Sequence, residues 1–307
     1  MIGLVTAQVA AQLDPDLYPL ERALCDRIGG GAVAVVAWDD QHVDWAAFAA
    51  VVIRSTWDYP DRLDEFMRWV QRVNELTVLV NSAEVLRWSA DKRYLADLAG
   101  EGIPITPTVF VAPGEDPPNV NGLHVVKPSV GAGSSGARRC EASEVSAHVA
   151  LLHLDGRTAM VQPYLDLLDE RGETALCFVA DASGEGLEFS HAFRKGAILT
   201  STEVEQTGDL FAKEDISPRV PCDRELALAR RALSAASVRE QGEVMFARVD
   251  VAPGSGDDAF VLMELELIEP SFYFDTEPSR VALFADRLIA WLERRDLVLL
   301  DGVSNLS

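Results

Sequence analysis

Residues 261–270 read VLMELELIEP, a stretch in which charged and apolar side chains alternate. This period of two is typical of a β-strand that has a polar face and an apolar face. On such a strand Glu264 and Glu266 point to one face, while Leu265 points to the other. The stretch therefore predicts a strand that carries two carboxylates side by side on one face of a sheet.

A second strand with the same alternation precedes this one. Residues 246–251 read FARVDV, which puts Arg248 and Asp250 on one face. The connecting residues 252–259, APGSGDDA, are rich in turn formers, so we expect the two strands to form a hairpin. The hairpin would gather Asp250 beside the two glutamates, with Arg248 next to them.

Three carboxylates on one face of a sheet repel one another unless cations neutralise them. Mg²⁺ suits such a face, because it takes one or two carboxylates and leaves its other positions to phosphate oxygens and water. Asp250, Glu264 and Glu266 are therefore candidate metal ligands. The alternative is a solvated acidic face, which is common on antiparallel sheets.

The composition excludes several classes of function. With 307 residues, 48% of them apolar, the chain is long enough for two or three folded domains. Its formal net charge of −22 argues against nucleic acid and anionic membranes as partners. No apolar run reaches the length of a bilayer span and no basic flank marks a signal peptide, so we expect a soluble cytoplasmic protein. The four cysteines are widely spaced, which favours free thiols over a zinc site or disulfides.

Residues 1–88 alternate strand-like and helix-like patterns, which predicts an α/β domain with a small parallel sheet. No G-x-G-x-x-G follows the first strand, so a dinucleotide site is not supported. A later strand runs straight into polar residues in IRSTWDY, residues 53–59. Open α/β sheets bind ligands at the carboxyl ends of their strands, so five residues there are candidates for an amino-acid-like substrate: Arg54, Ser55, Thr56, Trp57 and Asp58. The alternative is a helix N-terminus, capped by Ser55 or Asp58, with Trp57 packed.

Beyond residue 88 the pattern predicts a mixture of helices and strands. We expect a helix over residues 89–100, with Ser89 as N-cap and a glycine ending it. Further helices are predicted over 144–154, 224–240 and 281–295, and strands over 108–111, 124–126 and 159–162. Pro163 then breaks regular structure, which indicates a hinge between two parts of the chain.

Residues 125–137 read VVKPSVGAGSSGA, an apolar strand that ends in Lys127 and continues into a loop of small residues. Such a loop can wrap backbone N–H groups around phosphates, because glycine permits close approach. The candidate phosphate-binding residues are Gly131, Gly133, Ser134, Ser135 and Gly136. The loop is not a Walker A motif, since Ala137 and Arg138 follow it in place of Lys and Ser or Thr. The alternative is a mobile hairpin loop without a ligand.

Lysine is scarce, which makes its positions informative. The chain holds four lysines, Lys92, Lys127, Lys195 and Lys213, and arginine carries the other positive charge. The order along the chain is Lys92, then Lys127 with its Gly/Ser loop, then VQPY at residues 161–164, then the acidic hairpin. In this order the chain resembles the ATP-grasp superfamily, which includes glutathione synthetase and D-alanine–D-alanine ligase.

The resemblance implies a fold and a set of binding roles. It implies that two α+β subdomains, residues 89–161 and 162–307, clamp ATP between them and follow the α/β domain of residues 1–88. Lys92 and Lys127 would contact the nucleotide, and the GAGSSG loop would cover its phosphates. The hinge of Gln162, Pro163, Tyr164 and Leu165 would bind adenine, an acidic residue (Asp166, Asp169 or Glu170) would hold the ribose, and Glu173 would lie across the nucleotide. Asp250, Glu264 and Glu266 would hold two Mg²⁺ ions, although many members have Glu-x-Asn where this chain has Glu264-Leu265-Glu266.

Three basic residues are candidates for stabilising the transferred phosphoryl group: Lys127, Arg248 and Lys195. Two alternatives stay open, that Arg248 is half of a structural ion pair with Glu264, and that Glu173 is an exposed charge at a strand start. The resemblance also implies a homodimer, a common state among such ligases, although no surface in the sequence indicates an interface.

The resemblance therefore implies an ATP-dependent ligase that phosphorylates a substrate carboxylate and lets a nitrogen nucleophile capture the acyl phosphate, with release of ADP. IRSTWDY and ELELIEPS together most resemble the branch that includes the O-ureido-serine cyclo-ligase of cycloserine biosynthesis, in which the nitrogen attacks within the same molecule. One alternative is an intermolecular peptide-forming or glutathione-synthetase-like ligase. Another is an inactive ATP-binding regulatory module.

Overall fold

The computed structural model describes residues 1–197, 215–254 and 259–297. Lys213 and the centre of the predicted hairpin turn, residues 255–258, lie outside the described residues. The described parts of the chain form three sheets. No helix among them is long and apolar enough to cross a membrane.

The N-terminal sheet is parallel throughout, as the sequence predicts. Its strands are β1 (Ile2–Thr6), β2 (Val33–Ala37), β3 (Ala50–Ser55) and β4 (Val78–Val80), in the spatial order β2-β1-β3-β4. Helices α1 (Leu17–Ile28) and α2 (Leu63–Asn74) complete this α/β domain. Every residue of β1 and β3 is buried, because an inner strand of a parallel sheet is covered on both faces.

The predicted helix over residues 89–100 is wrong in its start. The structure has two helices here, α3 (Ala83–Ser89) and α4 (Tyr94–Gly100). The Ser82 hydroxyl caps α3 by accepting from Val85 N, whereas Ser89 ends this helix and donates back to Val85 O at 2.8 Å. A hydroxyl can satisfy either a helix start or the preceding turn, so its position alone did not identify the cap.

The second sheet is antiparallel and carries the Gly/Ser loop. Its strands are β5 (Val109–Val111), β6 (His124–Pro128), β7 (Arg138–Cys140) and β8 (Ala159–Pro163), in the order β5-β8-β6-β7, with helix α5 (Val145–Leu154) packed on it. Lys127 lies opposite Met160 on β8. The loop of residues 131–136 connects β6 to β7 and therefore leaves the sheet beside Lys127.

The third sheet contains the predicted acidic hairpin. Its strands are β9 (Glu173–Ala180), β10 (Leu187–Lys195), β11 (Ile216–Pro218), β12 (Phe246–Pro253) and β13 (Phe260–Glu266), in the order β11-β10-β9-β12-β13. The register sets Asp250 opposite Glu264 and Arg248 opposite Glu266. Since directly opposed residues of antiparallel strands point to the same face, the predicted grouping of these four side chains is confirmed.

Helices cover the two faces of the third sheet. A short helix α6 (Leu167–Arg171) precedes β9, and the chain later forms α7 (Asp223–Leu233), α8 (Ala236–Arg239) and α9 (Ser279–Glu293). The predicted single helix over 224–240 is interrupted between α7 and α8. Apolar residues of α9 and of the N-terminal sheet pack on the face that holds Ala175, whereas α4 and α7 pack on the face that holds Leu176. The predicted boundaries at residues 88 and 161 stay a prediction.

Candidate active site

One cavity of about 650 Å³ lies where the N-terminal domain, the second sheet and the third sheet meet. Its walls include most of the residues that the sequence singled out: Trp57, Lys92, Lys127, Gly131, Gly133, Ser134, Ser135, Gln162, Pro163, Tyr164, Leu165, Glu173, Lys195, Arg248, Glu264 and Glu266. These residues span more than 200 positions of the chain, from Trp57 to Glu266. The fold therefore brings the separate motifs to one place.

An ion pair joins the second sheet to the third across this cavity. Lys127 Nζ donates to Glu264 Oε1 at 2.6 Å, and Lys92 Nζ lies 3.8 Å from Glu264 Oε2. Lys92 also donates to the carbonyl of Gly131 at 2.6 Å, so it contacts the Gly/Ser loop as well. The two lysines and Glu264 are thus one group whose members belong to different parts of the fold.

Arg248 organises the carboxylates on the hairpin. Its guanidinium donates to both oxygens of Asp250, at 2.9 and 3.0 Å, and also to Glu266. Lys195 Nζ donates to Asp250 Oδ2 at 2.7 Å and lies 3.3 Å from Glu173 Oε2. Positive and negative side chains therefore alternate across the face, which offsets the cost of burying each charge. We call this group of Lys127, Glu173, Lys195, Arg248, Asp250, Glu264 and Glu266 the charged face.

The carboxylates of the charged face differ in their pKa. Burial alone would raise the pKa of Glu264, but Lys127 and Lys92 hold it well below its usual range. Asp250 is also buried, and Arg248 and Lys195 likewise lower its pKa. Burial raises the pKa of Glu266 to about 7, and the Asp250 carboxylate adds to this rise against the opposing Arg248.

The Gly/Ser loop is held in a strained turn beside Lys127. Gly133, Ser134 and Gly136 all have positive φ, at 57°, 61° and 73°. A Cβ at Gly136 would lie 3.3 Å from Pro128 Cδ, so glycine is favoured there by both conformation and space. Gly136 itself does not line the cavity as the described residues form it.

The hinge after β8 forms another wall of the cavity. The Gln162 side chain donates to Thr108 Oγ1 at 2.8 Å, and Tyr164 N donates to Leu123 O at 2.9 Å. The Tyr164 hydroxyl donates to Asp169, which also pairs with Arg139. Of the predicted ribose ligands, Asp169 is thus already engaged, and neither it, Asp166 nor Glu170 lines the cavity as described.

Four glutamates line the cavity, Glu173, Glu264, Glu266 and Glu269, and the two on the hairpin strands are the candidates for Mg²⁺. Among the described residues, no group of three or more His, Cys, Asp or Glu side chains is placed to hold a metal ion. Glu264 and Glu266 line the cavity with side chains 22% and 29% exposed, whereas the Asp250 side chain is 0% exposed and lies behind them. Two carboxylates fit the donor set of an Mg²⁺ ion that takes its other ligands from phosphate and water.

The structure does not bring most of the predicted substrate residues to the cavity. Arg54, Ser55 and Thr56 are buried at the end of β3, because the covered sheet leaves no side chain there facing solvent. The Asp58 carboxylate accepts from Trp38 Nε1 at 2.9 Å and from Arg62 at 2.8 Å within the N-terminal domain. Of the five residues proposed from the sequence, only Trp57 lines the cavity as the described residues form it.

Arg54 instead holds the segment that follows β13. Its guanidinium donates to Pro270 O at 3.2 Å and lies 3.9 Å from Asp16. The Asp16 carboxylate accepts the backbone N–H groups of Phe272, Tyr273 and Phe274 at 2.7 to 2.9 Å. The guanidinium is 5.5 to 5.6 Å from the ring centroids of three phenylalanines. We call this group the anchor cluster: Asp16, Arg54, Phe246, Phe272 and Phe284.

Several cavity residues were missed by sequence reasoning. Tyr59 of the N-terminal domain lines the cavity, as do Glu269, Ser271 and Tyr273 of the segment that follows β13. Glu269 belongs to the stretch VLMELELIEP, so its charge three residues beyond Glu266 was a visible signal. The period of two does not extend past the strand end, so it could not assign Glu269 to a face.

Comparison with known proteins supplies the family. A family model described as "D-cycloserine synthetase DcsG, N-terminal domain" matches residues 2–81. The cycloserine biosynthesis protein DcsG of Streptomyces lavendulae is 35% identical over 305 residues, which cover 94% of this chain and 97% of that protein.

Solved structures agree with this match. The crystal structure of D-cycloserine synthetase DcsG superposes with a TM-score of 0.81 and 34% identity, covering 95% of this chain and 99% of that one. The ATP-grasp ligase PsnB, in a complex with a phosphomimetic precursor, Mg and ADP, gives a TM-score of 0.57 at 16% identity, covering 94% and 98%. The predicted ATP-grasp fold is therefore confirmed.

Proposed function

Because this chain belongs to the DcsG family of ATP-grasp ligases, we propose that it closes the ring of an O-ureido-serine-like amino acid by ATP-dependent activation of the substrate carboxylate. The observation that carries the proposal is the convergence of Lys92, Lys127, Glu264 and Arg248 on one cavity between the sheets. That cavity has basic groups for phosphates, carboxylates for a metal ion and room for a small substrate.

The proposed chemistry consists of two substitutions. A substrate carboxylate oxygen bonds to the γ-phosphorus while the bond from that phosphorus to the ADP oxygen breaks, which gives an acyl phosphate and ADP. A nitrogen of the same molecule then attacks the acyl carbon, loses its proton and displaces inorganic phosphate. Neither step needs an enzyme nucleophile.

The residues of the charged face supply electrostatic stabilisation in this scheme. Lys127 and Lys92 are set to exchange Glu264 for phosphate oxygens, because an ammonium group pairs equally with either anion. Glu264 and Glu266 would hold Mg²⁺, which screens the phosphate charges when it is bound. Arg248 and Lys195 would stabilise the transferred phosphoryl group, while the buried Asp250 fixes the orientation of both cations.

The nucleotide would lie along the second sheet. The hinge of residues 162–165 and the Gly/Ser loop both line the cavity. In this scheme the hinge would bind adenine and the loop would cover the phosphates. Backbone N–H groups of Gly133 and Ser134 are candidates for phosphate contacts, since their positive φ turns the loop tightly.

The test is phosphate release from Mg-ATP over a panel of amino acids that includes O-ureido-D-serine, followed by mass spectrometry of the product. Release that depends on one compound, with a product mass equal to that of a ring-closed amino acid, is the expected result. A product that joins two panel members would replace ring closure with intermolecular ligation. Failure of the protein to bind Mg-ATP would overturn the proposal altogether.

A matched pair of variants ties the activity to the cavity. Glu264→Gln should abolish the release, because it removes both a metal ligand and the partner of two lysines. Glu240→Gln changes an exposed glutamate on the surface beyond α8 and should leave the release unchanged. Equal activity of the two variants would move the reaction away from the charged face.

A further inference from the structure

Glu269 differs from the other deeply buried acids of the protein. Its side chain belongs to a residue that is only 9% exposed, and it lines the cavity beside Tyr59. No hydrogen bond or ion pair joins Glu269 to any residue that the structure describes. By contrast, buried Asp250 pairs with Arg248 and Lys195, and buried Glu225 pairs with Arg219.

An unpartnered buried carboxylate is energetically costly. The pKa of Glu269 is raised well above its usual value by burial, and the Glu266 carboxylate adds to the rise against the opposing charges of Arg248, Lys92 and Arg54. The fold therefore keeps an acid in surroundings that disfavour its ionised form, in the wall of a cavity that can admit a ligand. A cation entering the cavity would remove the cost, because it would pair with the carboxylate.

Tyr59 provides a second polar group in the wall of the same cavity. It is buried, and its pKa is raised far above the usual value by burial, with Glu269 as the next cause. Tyr59 and Glu269 line the same cavity, and the raised pKa keeps the phenol neutral. Trp57 and Tyr273 add aromatic walls around the two groups. A site with one carboxylate, one hydroxyl and aromatic walls suits a small organic ammonium group.

We infer that Glu269, assisted by Tyr59, binds the α-ammonium group of the amino-acid substrate. The inference rests on the proposed function and assigns a binding residue to the amino group of its amino-acid substrate. In an α-amino acid the nitrogen and the carboxyl carbon are only about 2.5 Å apart. Glu269 lines the same cavity as Glu266, Arg248 and Lys127, so one small amino acid would present its ammonium group to Glu269 and its carboxylate to the phosphoryl-transfer residues.

The geometry also predicts what the site rejects. A desamino analogue would leave Glu269 buried and unpaired, so the enzyme should discriminate against it strongly. Sites that hydrogen-bond a substrate polar group commonly reject analogues without it by large factors, because the protein group is then left without a partner. Glu269 is therefore a specificity-determining residue, whereas Lys127 and Arg248 act on the phosphoryl group.

The experiment compares wild type, Glu269→Gln, Glu269→Asp and the control Glu240→Gln in the full-length protein. We measure KM and kcat for O-ureido-D-serine, the same constants for its desamino analogue, and Kd for Mg-ATP. Glu269→Gln should raise KM for O-ureido-D-serine at least about tenfold, which corresponds to about 1.4 kcal/mol, and should leave Kd for Mg-ATP within about twofold. Glu269→Asp keeps the charge and should recover part of the affinity, and the preference over the desamino analogue should shrink only in Glu269→Gln.

Thermal unfolding without ligand separates this role from a structural one. Glu269→Gln should melt no lower than wild type, because it removes an unpaired buried acid. A lower melting temperature with unchanged KM would make Glu269 structural and overturn the inference. So would a weaker affinity for Mg²⁺ or Mg-ATP with unchanged KM, since Glu269 would then serve the metal or the nucleotide.

The inference and the proposed function fail in different ways. Wild-type protein that binds Mg-ATP but releases no phosphate with any amino acid of the panel would contradict the proposed function. Wild-type turnover of O-ureido-D-serine with unaltered constants in Glu269→Gln would contradict only the role of Glu269. The first failure is measured on wild type alone, and the second requires the comparison of wild type with Glu269→Gln.

Discussion

The charged face and the anchor cluster both bury opposite charges, yet they use them differently. In the anchor cluster Asp16 accepts three backbone N–H groups, and Arg54 is enclosed by phenylalanine rings. In the charged face Lys127, Glu264 and Glu266 border a cavity that can admit a ligand. The partners in the anchor cluster are enclosed by the fold, whereas those in the charged face are the ones that we propose exchange for phosphates and a metal ion.

A buried charge whose partners are all enclosed has a structural role, whereas a buried charge that borders a cavity is a candidate for function. Arg54 and Arg248 are both buried arginines that follow apolar positions in strands. Arg54 fixes the backbone after β13 through Pro270, so it positions Glu269 and Ser271 without touching the cavity. Arg248 reaches the cavity itself while Asp250 holds it in place.

The largest expected effect comes from removing a cation of the charged face. Lys127→Met should lower kcat for ATP-dependent phosphate release at least about 100-fold, because a fixed positive charge on the phosphates is lost. The melting temperature should change by no more than about 4 °C, since Lys92 still lies near Glu264. Steady-state kinetics and thermal unfolding measure the two quantities.

The control for this variant is Arg93→Ala, which removes an exposed cation next to Lys92. It should leave kcat unchanged. A similar loss in both variants would show that net charge, and not the placement of Lys127, determines the rate.

The next effect is on stability and concerns the anchor cluster. Arg54→Met should lower the free energy of unfolding by about 3 kcal/mol, because Asp16 is left buried without its cation. The affinity of the folded protein for Mg-ATP should stay within about twofold, since Arg54 does not line the cavity. Chemical denaturation and nucleotide titration test the two statements.

Arg22→Met is the matched control, because Arg22 is exposed on α1 and should not affect unfolding. If Arg54→Met keeps the wild-type stability but loses affinity for the amino-acid substrate, Arg54 is a substrate ligand, as the sequence suggested. That result would remove the distinction between the two regions.

A moderate effect is expected from Arg248→Lys. Lysine keeps the charge but cannot hold Asp250 through two nitrogens while it also reaches Glu266. Losing one charged hydrogen bond should lower kcat about tenfold. The exposed Arg239→Lys serves as the control, and wild-type kcat in Arg248→Lys would show that only the charge of Arg248 matters.

The smallest effect is a pH dependence beside the anchor cluster. His191 is buried, with Nε2 2.7 Å from Phe272 O, and burial lowers its pKa below the usual value. Below about pH 6.5 the unfolded chain takes up a proton that the folded protein resists, so wild type loses stability as the pH falls. His191→Gln lacks this loss, so its stability relative to wild type should improve from about pH 7.5 to about pH 5.5.

Melting temperatures across this pH range provide the measurement. The exposed His42→Gln should follow the wild-type curve. Parallel curves for wild type and His191→Gln would mean that His191 is protonated in the folded protein, and the anchor region would then tolerate a further charge.

Much of the charged face could be predicted from the sequence. The alternation in FARVDV and VLMELELIEP placed Arg248, Asp250, Glu264 and Glu266 on one face, and the register of β12 and β13 confirms it. The position of the Gly/Ser loop between two strands was also predicted, because clustered glycines and serines disfavour a continuous strand. The helix over residues 89–100 was misplaced, because Ser89 can bond either the start of a helix or the turn before it.

For β12 and β13 the order of residues was enough to show which side chains share a face, because alternation along an extended chain is fixed by backbone geometry. The residues that pack against each face could be learned only from the folded structure. The folded structure places Arg54 among phenylalanine rings and pairs the buried Asp250 with Lys195. It places Glu269 in the cavity wall without a described partner. Burial and ion pairing depend on residues that are distant in the chain, and a local sequence pattern does not predict which distant residues will be in contact.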